Sequence, residues 1–354
     1  MMVAFPGTPT TGSLIAEGDA SHPIVFQPHE EAEWGHLLVN SGGTARLSHV
    51  TISGGGSLDP RGASVLVRGS GEFPTERSLF VDNVTVDHSR GAGIVVEAVA
   101  GFADGSKDLT ITESGDEENP YPLVVGENTV GTLPNGSFVG NAHDAIMIDT
   151  EQHVGEDATW RDLGVPYRVG TWNGGDLVIG KGSGEALTTL TLDAGVRLEM
   201  FPGTAIEIEH WTGDFAASGA LVANGTAAKP VVITSASDAP AAGDWEGLIY
   251  GGKPSAANKI DHARIEYTGA DCGCVLASCS AITESEGAVI FTSQPPSAFI
   301  SNTVIAHASS HAVVLGYLGA KVDFKDGIEV EDVAGCVQTL PAEASCPSPK
   351  PACE

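Results

Sequence analysis

One sixteen-residue passage occurs twice in this chain, and any fold must accommodate both copies. Residues 219–234 read GALVANGTAAKPVVIT and residues 12–27 read GSLIAEGDASHPIVFQ. At an offset of 207 (219 minus 12), seven of sixteen positions are identical: Gly12/Gly219, Leu14/Leu221, Ala16/Ala223, Gly18/Gly225, Ala20/Ala227, Pro23/Pro230 and Val25/Val232. The correspondence extends both ways with small changes of offset. Phe5-Pro6-Gly7-Thr8 matches Phe201-Pro202-Gly203-Thr204 (196), Trp34 matches Trp245 (211), His49 matches His262 (213), and Phe80, Asn83 and His88 match Phe299, Asn302 and His307 (219). Fixed apolar pieces separated by loops of varying length are the signature of a repeat architecture.

The local signal is strand and turn throughout. Short aliphatic runs such as Ile24-Val25-Phe26, Leu37-Leu38-Val39, Val65-Leu66-Val67 and Ile94-Val95-Val96 are bounded by Gly, Pro, Asn, Asp or Ser, which reverse a chain. No helical periodicity of any length is present. Further strands are expected at 109–111, 137–139, 145–149 and 176–179, with loops at 113–120 and 150–162. Three strands recur per twenty-odd residues, and loop length varies without disturbing the flanking strands. A stacked coil tolerates this, because its loops leave the column sideways. A hairpin array would carry more Asn-Gly and Asp-Gly turns.

Many short strands could close as a sandwich, a propeller or a parallel β-helix, and these features favour an all-β parallel β-helix with internal duplication. It is expected as a single solenoid over 1–337, with duplicated units at about 3–100 and 199–320 and intervening coils over 101–198. A Cys/Pro-rich tail follows at 338–354. At 354 residues the chain exceeds the usual single core, which a solenoid escapes because each coil touches only its neighbours. Because Phe5 to Thr8 aligns with the interior of the second copy, the chain is expected to begin part-way through a repeat. Its N-terminus, MMVAFPGTPTTG, has no basic segment followed by an apolar one.

The net charge of −29, from 17 Lys plus Arg against 46 Asp plus Glu, repels nucleic acid and anionic membrane surfaces. No apolar run approaches the roughly 20 residues of a membrane helix. The six cysteines fall in two groups, Cys272, Cys274, Cys279 and Cys336, Cys346, Cys353. Their spacings lack the C-x2-C pairs of a zinc site, so three disulfides are expected, which implies an oxidising compartment. The pairing stays open among fifteen arrangements, with one bridge expected to tie the tail to the loop of the 270s.

Residues that recur in register suit packing better than a unique site. His49/His262 and His88/His307 are read as strand-end residues bonding turn carbonyls, Asn83/Asn302 as left-handed bends, and Trp34/Trp245 as coil packing. Trp160, Trp172 and Trp211 have no counterpart. Trp211 stands in His210-Trp211-Thr212-Gly213-Asp214, where a flat ring beside hydrogen-bonding groups suits a sugar. His210, Trp211 and Asp214 are therefore the candidate carbohydrate-binding residues, although a large aromatic is more often core. The acidic stretches Asp116-Glu117-Glu118-Asn119 and Glu156-Asp157 offer oxygen ligands without the spacing of a dedicated calcium loop. No catalytic residue, cofactor or metal ligand is assigned, and calcium binding is not derivable.

The succession PGT, GxLxAxGTAAKPVVITS, GDWEGLIY, IDHARIEYTG and SNTVIAHASSHAVVL resembles the bacterial extracellular right-handed parallel β-helix repeat proteins, whose fold is shared with pectate lyases. The resemblance covers most of the chain, strongest over 187–320 and 3–100. It implies an exported or cell-surface module serving as a rigid scaffold or binding surface, with polysaccharide or another surface protein as partner. It is nearly silent on activity, since that fold hosts lyases, hydrolases and adhesins alike. The Asn-Thr-Asp, Asp-Asp and Gly-His-Gly pattern of polygalacturonases is absent. A polysaccharide lyase or glycoside hydrolase remains the alternative, and a fragment of a longer surface protein without separate activity is a third.

Overall fold

The computed structural model describes all residues except 5–10, 31–33, 58–60, 151, 171–174, 211–212, 274–285, 342–352 and 354. The chain is a right-handed parallel β-helix. Its residues group into two compact units, Met1–Asp149 with Leu163–Tyr167, and Thr150–Asp162 with Arg168–Glu354. One copy of the duplicated passage falls in each.

In the first unit, strands Gly12–Glu17, Gly43–Ser53, Glu76–Asp87, Lys107–Thr112 and Gly136–Ser137 pair in that order, all parallel. A second face runs Met2–Val3, Leu37–Val39, Val65–Arg68, Ile94–Glu97, Leu123–Gly126 and Ile146–Asp149. The second unit has three faces. One stacks Ala158–Trp160, Thr188–Asp193, Gly219–Asn224, Lys259–Asp261 and Ile300–Ser301. Another stacks Arg197–Met200, Val231–Ser235, Ala263–Glu266, Thr303–Ala308 and Ile328–Val333. The third stacks His153–Val154, Leu177–Ile179, Ala205–Ile208, Gly247–Tyr250, Gly287–Phe291 and His311–Leu315.

The coils turn at single residues in the left-handed region. His49 (φ 49°), Asn83 (φ 56°) and Asp108 (φ 53°) occupy one corner of successive coils in the first unit, as their flanking registers show. His262 (φ 51°) and Asn302 (φ 48°) do the same in the second. Strand Gly43–Ser53 bends at His49, so that its first half pairs with Gly12–Glu17 and its second half with Ile24–Phe26. A second corner stacks Gly54 (φ 65°), His88 (φ 52°) and Glu113 (φ 51°), matched in the other copy by Tyr267 (φ 64°), His307 (φ 52°) and Asp332 (φ 52°). L-residues seldom adopt this conformation, and a polar side chain that bonds locally offsets its cost.

The recurring histidines thus sit at bends, and the imidazoles of His88, His262 and His307 lie against carboxylates rather than the expected turn carbonyls. His88 Nδ1 and Nε2 each lie 2.9 Å from a carboxylate oxygen, of Asp87 and Glu113 respectively, and His307 Nδ1 lies 3.2 Å from Asp332. His262 Nδ1 is 2.9 Å from Asp261 but too poorly aligned to hydrogen-bond. Asn302 donates from Nδ2 to Asp261 of the preceding coil at 2.9 Å. The matched tryptophans are packing residues that reach the same kind of corner. Trp34 Nε1 donates to Ser53 O at 2.8 Å and Trp245 Nε1 to Glu266 O at 2.7 Å.

Inward positions carry the core. Leu190, Leu221, Leu198, Ile233, Ile265 and Ile305 are fully buried, and the rings of Tyr250, Phe291 and Phe324 stack in turn at 5.0 and 4.9 Å. The stretch 150–162, expected as a loop, contains strands His153–Val154 and Ala158–Trp160, with Trp160 fully buried. Strands of two or three residues contribute a single inward side chain each, which leaves no alternation to read. Cys336 and Cys353 form a disulfide and Cys272 is disulfide-bonded. Cys274, Cys279 and Cys346 lie outside the described residues, and with them the expected tie between tail and 270s loop. No helix among the described residues is long and apolar enough to cross a membrane.

Candidate functional site

The third face of the second unit gathers carboxylates from successive coils. Asp176 precedes Leu177–Ile179, Glu207 lies within Ala205–Ile208, Glu246 precedes Gly247–Tyr250, and Glu286 precedes Gly287–Phe291. On these strands Leu177, Ile206, Ile208, Leu248 and Tyr250 point into the core, so Glu207 projects outward. It stands in register between Val178 and Ile249. Beside it the outward-facing Ala205, Ile249, Ile290 and Val314 form a buried apolar patch, against which Cys272 packs. The carboxylates therefore border a covered part of the sheet and are only partly hydrated.

Partial burial and mutual repulsion set their protonation. Burial, and then the charges of Asp176, Glu207 and Asp271, push the Glu246 carboxyl up to about 7. Burial also raises Glu207, opposed by the imidazole of His210, whose Nδ1 lies 2.5 Å from Glu207 Oε2. Asp176 is raised by burial even though its Oδ1 accepts from Ala205 N at 2.7 Å, and Glu286 is raised by burial and by Asp271. His153, 6.0 Å from His210 between ring centroids, is lowered by burial and by the His210 charge. Near neutral pH Glu246 can hold or release its proton, and a carboxyl that titrates in that range is able to act as an acid or a base.

Of the residues singled out from sequence, His210 joins this row. Asp214 is exposed and pairs with Lys253 Nζ at 2.8 Å, and Trp211 lies outside the described residues. Asp176, Glu207, Glu246 and Glu286 were not singled out from sequence. One signal could have found three of them: an acid immediately ahead of the apolar strand recurs as Asp176-Leu177, Glu246-Gly247 and Glu286-Gly287. The duplication adds another. At offset 211 Glu246 falls on Gly35, although the preceding tryptophans match, and at offset 196 Glu207 falls on Thr11. The packing residues are copied while these carboxylates are not. No group of His, Cys, Asp or Glu among the described residues is arranged to hold a metal ion.

Residues 175–278 match the family model of the pectate-lyase-like beta helix domain. The matched stretch includes Asp176, Glu207, Glu246 and Asp271 and leaves Glu286 beyond its end. No curated protein and no solved structure matches the chain.

Proposed function

We propose that the chain is an exported or cell-surface β-helix module that binds carbohydrate on the outer side of its second unit, at the row of Asp176, Glu207, Glu246 and His210. The observation that carries this reading is the row itself, in which Glu207 and Glu246 of the second copy have no acidic counterpart in the first and stand beside Asp176 of the preceding coil. The groups come from three stacked coils, about 4.8 Å apart, and are staggered along the strands, so a glycan lying on this face can meet several of them. The pectate-lyase-like match supports a carbohydrate-related role, and the Cys336–Cys353 disulfide supports an oxidising compartment.

A second reading, polysaccharide hydrolysis, is favoured by Glu246. A carboxyl that keeps its proton up to about 7 can protonate a glycosidic oxygen, with Asp176 or Glu207 as the second carboxyl of the pair. The test is a glycan array followed by reducing-end and unsaturated-product assays on a polysaccharide panel, with and without calcium. Wild type is compared with Glu207→Gln, Glu246→Gln and Trp211→Ala. Glycan binding lost in Glu207→Gln supports the binding module. New reducing ends that disappear in Glu246→Gln select the hydrolase. Absence of both binding and products across the panel overturns the assignment of this face to carbohydrate.

A further inference from the structure

Elsewhere in this protein, half-buried carboxylates on the outer faces are matched by arginines from the same or a nearby coil. Glu199 lies 3.0 Å from both Arg168 and Arg197. Glu266 pairs with Arg264, which also reaches Glu331 at 2.8 Å. Glu97 pairs with Arg61 and Arg68 at 2.8 and 2.6 Å. The row on the third face of the second unit has no such partner. Among the described residues, neither lysine nor arginine pairs with Asp176, Glu207, Glu246, Asp271 or Glu286, and the one basic side chain bonded to any of them is His210, on Glu207.

Coil register spreads these groups over a strip. His153, Val178, Glu207 and Ile249 stand in one outward column of four successive coils, so polar and apolar side chains alternate along it. Asp176 lies beside that column, level with Ala205, whose N–H it accepts. Beyond Glu207 the same strand ends at a buried group short of a partner. Glu209 is 1% exposed, and its Oε2 accepts from Ser218 N and Oγ at 2.9 and 2.7 Å, while its Oε1 has no hydrogen-bond partner among the described residues. The Glu209 charge acts on His153 of the column.

Partly buried carboxyls that repel one another favour whatever brings positive charge to them. Because they come from successive coils instead of converging on a point, they suit a chain of cations better than a single ion. We propose that the glycan bound by this face is a polymer of amino sugars, whose ammonium groups supply the ion pairs that arginine makes on the other faces. The inference rests on the carbohydrate reading above and narrows it, since a polymer of uronates would add like charge to the row.

The probe is a glucosamine hexamer quaternised at its amines, so that its charge does not depend on pH. It is titrated calorimetrically into the full chain at pH 8, above the value of about 7 at which Glu246 gives up its proton. Saturable binding is expected, about tenfold tighter than that of the N-acetylated hexamer and weakened about tenfold by Glu207→Gln with Glu246→Gln. A chain of net charge −29 attracts any polycation, so the same two charges are also removed outside the row, by Glu117→Gln with Glu118→Gln, which should leave binding within about twofold. Equal weakening by the two double variants, or a lysine hexamer that binds as tightly as the sugar, overturns the proposal. Equal or tighter binding of the N-acetylated hexamer or of an oligogalacturonate overturns it too, and leaves the carbohydrate reading in place. Binding of none of the three sugars overturns both.

Discussion

Replacing Glu246 by glutamine should stabilise the protein, and only at neutral and higher pH. The folded chain holds the Glu246 proton up to about 7, against an ordinary 4.5. Below pH 4.5 the carboxyl is protonated folded or unfolded, so its ionisation costs nothing. Between 4.5 and about 7 the unfolded chain releases a proton that the folded chain retains, and stability falls as pH rises. Above 7 the folded chain carries the full cost of a partly buried charge beside Asp176, Glu207 and Asp271. Holding the carboxyl at about 7 instead of 4.5 corresponds to at most about 3–4 kcal/mol, and partial exposure with solvent screening reduces the expectation to about 1–2 kcal/mol. Glutamine keeps the shape and cannot ionise. Urea unfolding followed by tryptophan fluorescence should place the Glu246→Gln midpoint well above wild type at pH 8 and level with it at pH 4. Equal differences at the two pH values, or a less stable variant at pH 8, would refute the account of the site as a row of competing carboxylates.

Other consequences concern the scaffold. Asn302→Val should lower the unfolding midpoint more than Asn302→Gly, because both lose the bond to Asp261 but only valine adds the left-handed penalty of about 1–2 kcal/mol; equal midpoints would remove strain from the explanation. Asp261 is held down to about 2, first by the Asn302 amide and then by Ser301 and Lys259, against an ordinary 3.8. Its contribution to stability is therefore complete above pH 3.8 and lost as pH falls through about 2, and an NMR titration of the Asp261 carboxyl should move upward in Asn302→Val. Leu221→Ala should cost about 3 kcal/mol while its duplicate Leu14→Ala costs less than about half that, since among the described residues only the former is closed in by a strand on both sides. Comparable losses in chemical denaturation would mean that the first copy's edge is already covered in solution.

Much of the winding was legible because it is written in residues with narrow conformational preferences. Asn83 and Asn302 announce a left-handed bend, and stacked triplets such as Leu37-Leu38-Val39 and Val65-Leu66-Val67 announce a sheet closed on both sides. His49 and His262 were readable as structural from their recurrence alone, yet their place at the bend was not, because histidine is an uncommon occupant of that conformation. The short strands around Trp160 escaped notice for want of alternation. The candidate site escaped for a different reason. Asp176, Glu207 and Glu246 are 31 and 39 residues apart in the chain (207 minus 176, 246 minus 207), separated by loops of unequal length. No spacing rule joins them.

From the amino-acid sequence alone came the repeat, the parallel winding and the identity of the packing residues, since these depend on short-range preferences and on a pattern the chain states twice. Which carboxylates face one another, and that burial beside like charges leaves a proton on Glu246 near neutral pH, was decided only by the tertiary structure. Coil register converts distant positions into neighbours along the column, and the electrostatic energy that shifts a carboxyl depends on those through-space distances and on the water excluded around them.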